Sequence, residues 1–462
     1  SPGILGWPAG EGLYRIPSHR YSSVRAAIAG GERIGFAALM AGYFRFICTE
    51  PRFLGFGFLL TFFSSFGQTF FISLFGKELR LEFDLSHTTY GLTYSLATLC
   101  SGLTIIYLGK KLDGADLRKF TLLLCLGMLI ACLGMATAQH VAVLALAIFL
   151  LRLCGQGLLG HTALTSMSRY FEIGRGKALS VAGLGYPAGE AVLPAAVVLA
   201  LGTIGWRGTW GLAGLAVLVV LVPLVLYLLK GHEERHAAHL LRVAESDAKS
   251  STLGKQTSLG RQWTQGEVLR DLRFYLYLPG VMAPGFIMTG IFFHQGHLIE
   301  SKGWSDPFFA ACFLAFASLQ VLSSLVAGPL VDRFAATRLM PLYPAPLALS
   351  MIIIASLSSP MSAALFMGCF GACAGLSGPI VGAMWAEVYG TRHLGAVRAM
   401  ATAIMVFGTA GSPVLFGKLL DMGLPIESIG WICAVYVATG MLLALVALRV
   451  HHKATDGRLG KS

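Results

Sequence analysis

Charge is scarce in this chain. Only 13% of its 462 residues are Asp, Glu, Lys or Arg, against 55% hydrophobic, and mean hydropathy is +0.69. A water-soluble protein cannot cover that balance with polar surface, so lipid is the expected solvent. Acid is scarcer than base, 23 residues against 35, leaving a net charge of +12. No basic patch is interleaved with exposed aromatics, so the excess argues against nucleic acid as a partner and is expected to reflect membrane topology. The nine cysteines lie mostly inside apolar runs, among them Cys125, Cys132 and Cys154, where they act as small hydrophobes rather than a disulfide framework. Cys369 and Cys373 share a helix face, yet no His or carboxylate stands near them in sequence, so no metal site is expected. Gly174-Arg175-Gly176-Lys177 lacks the earlier Gly and the following Ser/Thr of a phosphate loop, and no Ser-His-Asp spacing occurs. The chain is therefore not expected to be an enzyme or to hold a cofactor.

Long apolar runs are abundant instead. Segments of about 20 apolar residues read as spanning helices, and twelve are placed at 53–76, 89–109, 119–138, 141–166, 178–202, 208–230, 274–298, 307–331, 339–358, 361–385, 396–418 and 428–449. Residues 1–50 form a Gly- and Arg-rich segment whose apolar stretch 35–46 is too short to cross a bilayer and does not read as a secretory signal. The expected organisation is that segment, a six-helix bundle at 51–230, a charged linker at 231–272, a second bundle at 273–450 and a tail at 451–462. Lys110, Lys111, Arg118, Lys119, Arg169, Arg175, Lys177, the linker, Arg333, Arg338, Arg392 and Arg398 are counted on one side, against Lys77, Arg80, Arg207, Lys302 and Lys418 on the other. The positive-inside bias then puts both termini in the cytoplasm of a multi-pass protein of the plasma membrane.

The two halves echo each other. Gly109, Asp113 and Lys119 recur in role as Gly328, Asp332 and Arg338, each set following a long apolar run. The stretch from Gly328 to Arg338, with Asp332 and Arg333 at its centre, resembles the loop motif between the second and third helices of each bundle in the major facilitator superfamily. The first copy is degenerate, with Gly114 in place of the usual Arg. Arg152 followed by Gly155, Gly157 and Gly160 resembles the superfamily's fourth-helix pattern. The run from Tyr170 through Arg175 and Gly183 to Gly189 resembles the segment joining helices four and five in monocarboxylate porters and oxalate/formate exchangers. The resemblance implies an all-α membrane protein, twelve transmembrane helices in two pseudo-symmetric six-helix bundles, working by alternating access. It also implies gating roles for Asp113, Asp332 and Arg333. The chain departs from that branch in lacking charge in its eighth span, so an anion would have to be held elsewhere.

Two charges stand where lipid should be. Arg152 lies about 18 Å into the fourth span and Glu190 about 20 Å into the fifth, by 1.5 Å per residue. A charge near mid-bilayer costs at least ~2.5–3.5 kcal/mol, so each is expected to face the bundle interior. Arg152 is the expected fork for a substrate carboxylate and Glu190 the expected carrier of a coupling proton; the alternative is a static ion pair between them. Gln68 in the first span, His161 in the fourth, and His294 and Gln295 in the seventh are further candidates for substrate contact. His297, sharing a face with His294, is a second candidate for proton coupling.

The functional expectation is a secondary active transporter of a small organic anion, a monocarboxylate or dicarboxylate, coupled to protons and acting as a monomer in the lipid bilayer. The alternatives are a proton-driven multidrug exporter and a non-transporting membrane receptor. In the exporters the fifth helix usually carries Gly-Pro-x-x-Gly-Gly, whereas Gly185-Tyr186-Pro187-Ala188-Gly189-Glu190 here ends in a charge.

Overall fold

The computed structural model describes residues 46–111, 116–171, 174–237, 263–390 and 394–459. The described residues from Arg52 on belong to one compact unit. Every regular element among the described residues is helical. In lipid each backbone N–H and C=O must be satisfied within its own segment, and a helix does this.

Among the described residues ten stretches are long and apolar enough to cross a membrane. The first four spans are Pro51–Ser73, His87–Leu108, Leu117–Thr137 and Val141–Tyr170. Arg175–Leu228, at 54 residues, is long enough for two crossings; it turns at Gly205, whose φ of 68° only glycine adopts without strain, so the fifth span precedes that residue and the sixth follows it. The seventh and eighth are Leu272–Phe293 and Asp306–Phe334, the tenth to twelfth Pro360–Tyr389, Met400–Asp421 and Ile426–Val450. Ala345–Ser356 is a shorter apolar helix in the place of the ninth. Among the described residues these stretches fit the expected twelve helices, with Gly205 dividing one stretch in two and Ala345–Ser356 standing as a short ninth. Of the expected linker, residues 231–237 and 263–272 are described, and 232–237 are helical.

The spans are apolar on all sides, as lipid-embedded helices are. In the third, Leu123, Leu126, Ile130 and Leu133 are exposed while Leu124, Met128, Ala131 and Met135 are buried. The exposed set faces outward for lipid and the smaller, softer set packs the bundle.

Two spans lose regular helix at matching places. The first is α-helical to Ser64, tightens to a 3₁₀ turn at Ser65–Gly67, extends at Gln68 (φ −75°, ψ 153°) and resumes as a helix over Thr69–Ser73. The fourth widens to a π-helix over Leu151–Leu159 between two α-helical stretches. These irregular turns meet: a Cβ on Gly67 would fall 2.5 Å from the Gln156 nitrogen and would overlap the Leu151 carbonyl, and one on Gly155 would fall 3.0 Å from the Gly67 Cα. Only two glycines allow backbones this close.

The hydrogen bonds that join the two halves between described residues lie at one end of the bundle. Asp421, at the end of the eleventh span, accepts from the backbone N–H of His87 (3.1 Å) and Thr88 (2.8 Å), capping the second span from the opposite half. Gln295 Nε2 donates to the Phe70 carbonyl (3.0 Å) and to Ser73 Oγ (2.9 Å). Lys77 and Glu300 pair at 2.5 Å, both about half exposed; the hydrogen bond between them holds the ammonium pKa up and the carboxyl pKa down. Pairs exposed to this degree contribute little to stability, so the closure rests on the buried contacts.

Candidate transport site

The first span runs between the fourth and fifth, and its broken turn is where the two candidate charges gather. From one flank Arg152 reaches the Gly67 carbonyl, Nη1 to O 3.0 Å, with its guanidinium 5.1 Å from the centre of the Tyr94 ring. Arg152 is 7% exposed, and its Nε has no hydrogen-bond partner. The charge-assisted bond contributes roughly 1.5–3 kcal/mol and the ring roughly 0.5–2, which offsets the ~2.5–3.5 kcal/mol cost of placing the charge at this depth. The Gly67 carbonyl takes one of the five N–H donors of the guanidinium, and the Nε N–H is buried without an acceptor.

From the other flank Gly189 abuts Ser65 and the Phe62 carbonyl, and the next residue is Glu190. Glu190 is partly exposed, yet its Oε2 is shut off from solvent without a partner. No ion pair joins Arg152 and Glu190, and neither pairs with another described residue. The static ion pair considered from the sequence is absent from this conformation. Ser65 Oγ, on the turn between them, is likewise buried without a partner.

Tyr94, which the sequence does not single out, ties this region together. Its hydroxyl and Thr69 Oγ1 are 2.7 Å apart, and its ring lies 4.6 Å from that of Phe293 in the other half. Gln68 supplies the extended residue of the broken turn and is half-buried. His161 is exposed, two turns further along the fourth span, 3.5 Å from Thr165 Oγ1.

His294 and Gln295 lie elsewhere, in the contact between the halves. His294 is 5% exposed, its Nε2 is 2.9 Å from the Pro413 carbonyl, and its Nδ1 is 3.4 Å from His87 Nδ1. The His297 ring meets the His87 ring edge-on at 5.2 Å. This conformation therefore uses these three expected site residues in the closed end rather than beside Arg152. Replacing an N-cap carboxylate costs about 0.5–2 kcal/mol. Asp421→Ala should accordingly raise the population open at this end about tenfold, since ~1.4 kcal/mol is a factor of ten. Spin labels at the exposed residues Leu81 and Met422 would report it as a longer-distance component; an unchanged distance distribution would count against the latch.

At the opposite end Asp113 lies outside the described residues. Asp332 and Arg333 are exposed; Arg333 lies 5.2 Å from the Phe334 ring, and neither makes an ion pair with a described residue. The contact between this loop and the tenth span is made by Glu387, whose carboxylate accepts from the backbone N–H of Ala336 (2.8 Å) and Thr337 (2.9 Å). Glu387 is visible in the sequence, but nothing there shows which loop it caps.

Arg398 is counted from the sequence among loop cations. The structure instead places it one turn into the helix Leu394–Asp421, donating to the Gly382 carbonyl. It lines a cavity of about 440 Å³ between the seventh, tenth and eleventh spans. Arg152 and Glu190 do not line this cavity. Among the described residues no cluster of His, Cys, Asp and Glu is arranged to hold a metal.

Twelve helices in two halves, joined at one end around a broken first span, match a known family. Residues 57–319 and 280–461 match the model of the Major Facilitator Superfamily. The chain belongs to that superfamily. The match reaches the superfamily and no branch within it. No curated protein sequence matches the chain. Among solved structures, a bacterial homologue of the human lysosomal transporter Spinster, in an inward-facing and occupied conformation, is 15% identical with a TM-score of 0.58, covering 87% of this chain and 96% of that one. A single-residue mutant of the nucleoside transporter NupG is 14% identical with a TM-score of 0.59, covering 86% and 99%. At these identities the likeness is one of fold. This superfamily member is thus a multi-pass integral membrane protein and a transporter rather than an enzyme.

Proposed function

We propose that the chain carries an organic anion across the membrane together with protons, by alternating access of its two halves. The observation that carries this reading is the pair of charges beside the broken turn of the first span, Arg152 buried and Glu190 partly so, joined to each other by no ion pair. A charge at that depth is costly and persists where it has work to do. Arg152 offers N–H donors beyond the one the Gly67 carbonyl takes, in a planar fork suited to a carboxylate. Glu190, without a cation to meet it, is the group proposed to take up and release the coupling proton. We place the Asp421 end outside and the Glu387 end in the cytoplasm, following the cation bias, so that both termini are cytoplasmic. The protein is proposed to act as a monomer in the plasma membrane.

Export of cationic drugs is the less favoured reading. Arg398 is the only charged residue lining its cavity, and a guanidinium there repels a cation. A nucleoside, the substrate named for one structural relative, is neutral and answers neither arginine.

The reading is tested by flux of labelled lactate, pyruvate and oxalate into vesicles containing the purified protein, against protein-free vesicles. At least one acid should enter faster with the protein, and faster still with the far side alkaline. Arg152→Ala should slow it roughly ten- to hundredfold, the value of a charge-assisted hydrogen bond of about 1.5–3 kcal/mol. Acid flux equal in wild type and Arg152→Ala, or flux of drug-like cations alone, would overturn the assignment.

A further inference from the structure

The cavity that Arg398 lines is unlike a site for a two- or three-carbon acid. Its volume of about 440 Å³ falls within the roughly 300–1,000 Å³ of cavities that enclose drug-sized ligands. Its walls are apolar and soft, with Met288 and Met405 on facing spans and Trp385 on a third side. Ser377, one of its few polar residues, already donates to the Ala374 carbonyl at 3.1 Å. Arg398 donates to the Gly382 carbonyl and to no other described residue, and its guanidinium is exposed. A guanidinium carries five N–H donors in a fixed fork, so the rest of that fork is free for a ligand. The neighbouring carbonyl bond orients the fork, and methionine walls adapt to irregular apolar shapes.

We infer that this cavity is an anion subsite on the inner side of the transport path, and that it selects an organic acid with a bulky apolar or aromatic body, its carboxylate on Arg398 and its body against Trp385, Met288 and Met405. The inference rests on the organic-anion reading above and narrows its substrate class. A small hydroxy acid would gain the charge contact but leave most of the cavity wall uncovered. A neutral ligand of the same shape would gain the wall but not the guanidinium.

The full chain in lipid nanodiscs, titrated calorimetrically with 2-naphthoate, lactate and neutral 2-naphthamide after subtraction of empty discs, separates these contributions. Wild type should bind 2-naphthoate at least tenfold more tightly than lactate. Arg398→Gln should weaken 2-naphthoate about tenfold and leave 2-naphthamide unchanged. A second variant removes the body site without touching the arginine: a Cβ on Gly378, a lining residue, meets open space. Gly378→Leu should therefore fold and abolish 2-naphthoate binding while sparing lactate. Equal affinity for the two acids, or 2-naphthoate binding untouched by both variants, would overturn the subsite while leaving the organic-anion reading standing. Failure of wild type to bind either acid would instead remove that reading, and the subsite with it.

Discussion

Glu190→Gln should abolish uphill accumulation of the transported acid while leaving exchange of the acid down its own gradient. With one proton per substrate, each pH unit across the membrane is worth about 1.4 kcal/mol and supports about tenfold accumulation. Glutamine keeps the shape and hydrogen-bonding capacity of a protonated carboxyl but can neither bind nor release the proton. Accumulation under a gradient of one unit should therefore fall from about tenfold to none. The surroundings of Glu190 make this a large effect: one oxygen is closed off from solvent without a partner, and no cation among the described residues stands in for the proton. Labelled-acid uptake at an imposed gradient, alongside equilibrium exchange with no gradient, reads both quantities. A variant that still concentrates the acid tenfold would assign coupling to another group, with His297 the next candidate.

Gly67→Ala should disable the protein as thoroughly by a different route. The added methyl would overlap the Leu151 carbonyl and crowd the Gln156 nitrogen, which are backbone atoms that no rotamer change can move aside. Relieving the clash means pulling the broken turn of the first span off the π-helical stretch of the fourth. That separation also breaks the bond from Arg152 to the Gly67 carbonyl. Overpacking costs about 1–3 kcal/mol, occasionally more, and stranding the Arg152 charge adds roughly another 1.5–3. The variant should lose thermal stability and acid binding together. Gly183→Ala, where a Cβ meets open space, is the matched control and should behave as wild type. Normal melting and normal binding in Gly67→Ala would show that the turn is not built as described.

The fold was legible in the sequence because lipid imposes it. Apolar length fixed the spans to within a few residues, and the repeat of Gly109, Asp113 and Lys119 as Gly328, Asp332 and Arg338 marked the duplication. Arg152 and Glu190 stood out for the same reason, as charges in places where charge is costly. What the sequence could not reveal depends on which helix lies beside which. The ring of Tyr94 beneath Arg152, the Asp421 cap on the second span and the Glu387 cap at the other end all join residues distant in the chain. Neither the extended residue Gln68 nor the widening at Leu151–Leu159 follows from helix propensity. Gly67 and Gly155 are ordinary in isolation, and the break appears only where they meet. Arg398 falls just inside the expected span starting at 396 and counts with the loop cations beside it; only the packing of the tenth span against the eleventh shows that it bonds the Gly382 carbonyl and lines a cavity.

The central claim, that an organic anion and a proton move together, is tested most directly by recording both at once. Vesicles containing the wild-type protein and a pH-sensitive dye in the lumen, with no initial pH gradient, are given labelled oxalate, lactate or 2-naphthoate on the outside. The account predicts that, beyond the signal of protein-free vesicles, entry of one of these acids acidifies the lumen in fixed proportion to the label taken up. Label entering with the luminal pH unchanged, or no protein-dependent entry of any acid, would contradict it.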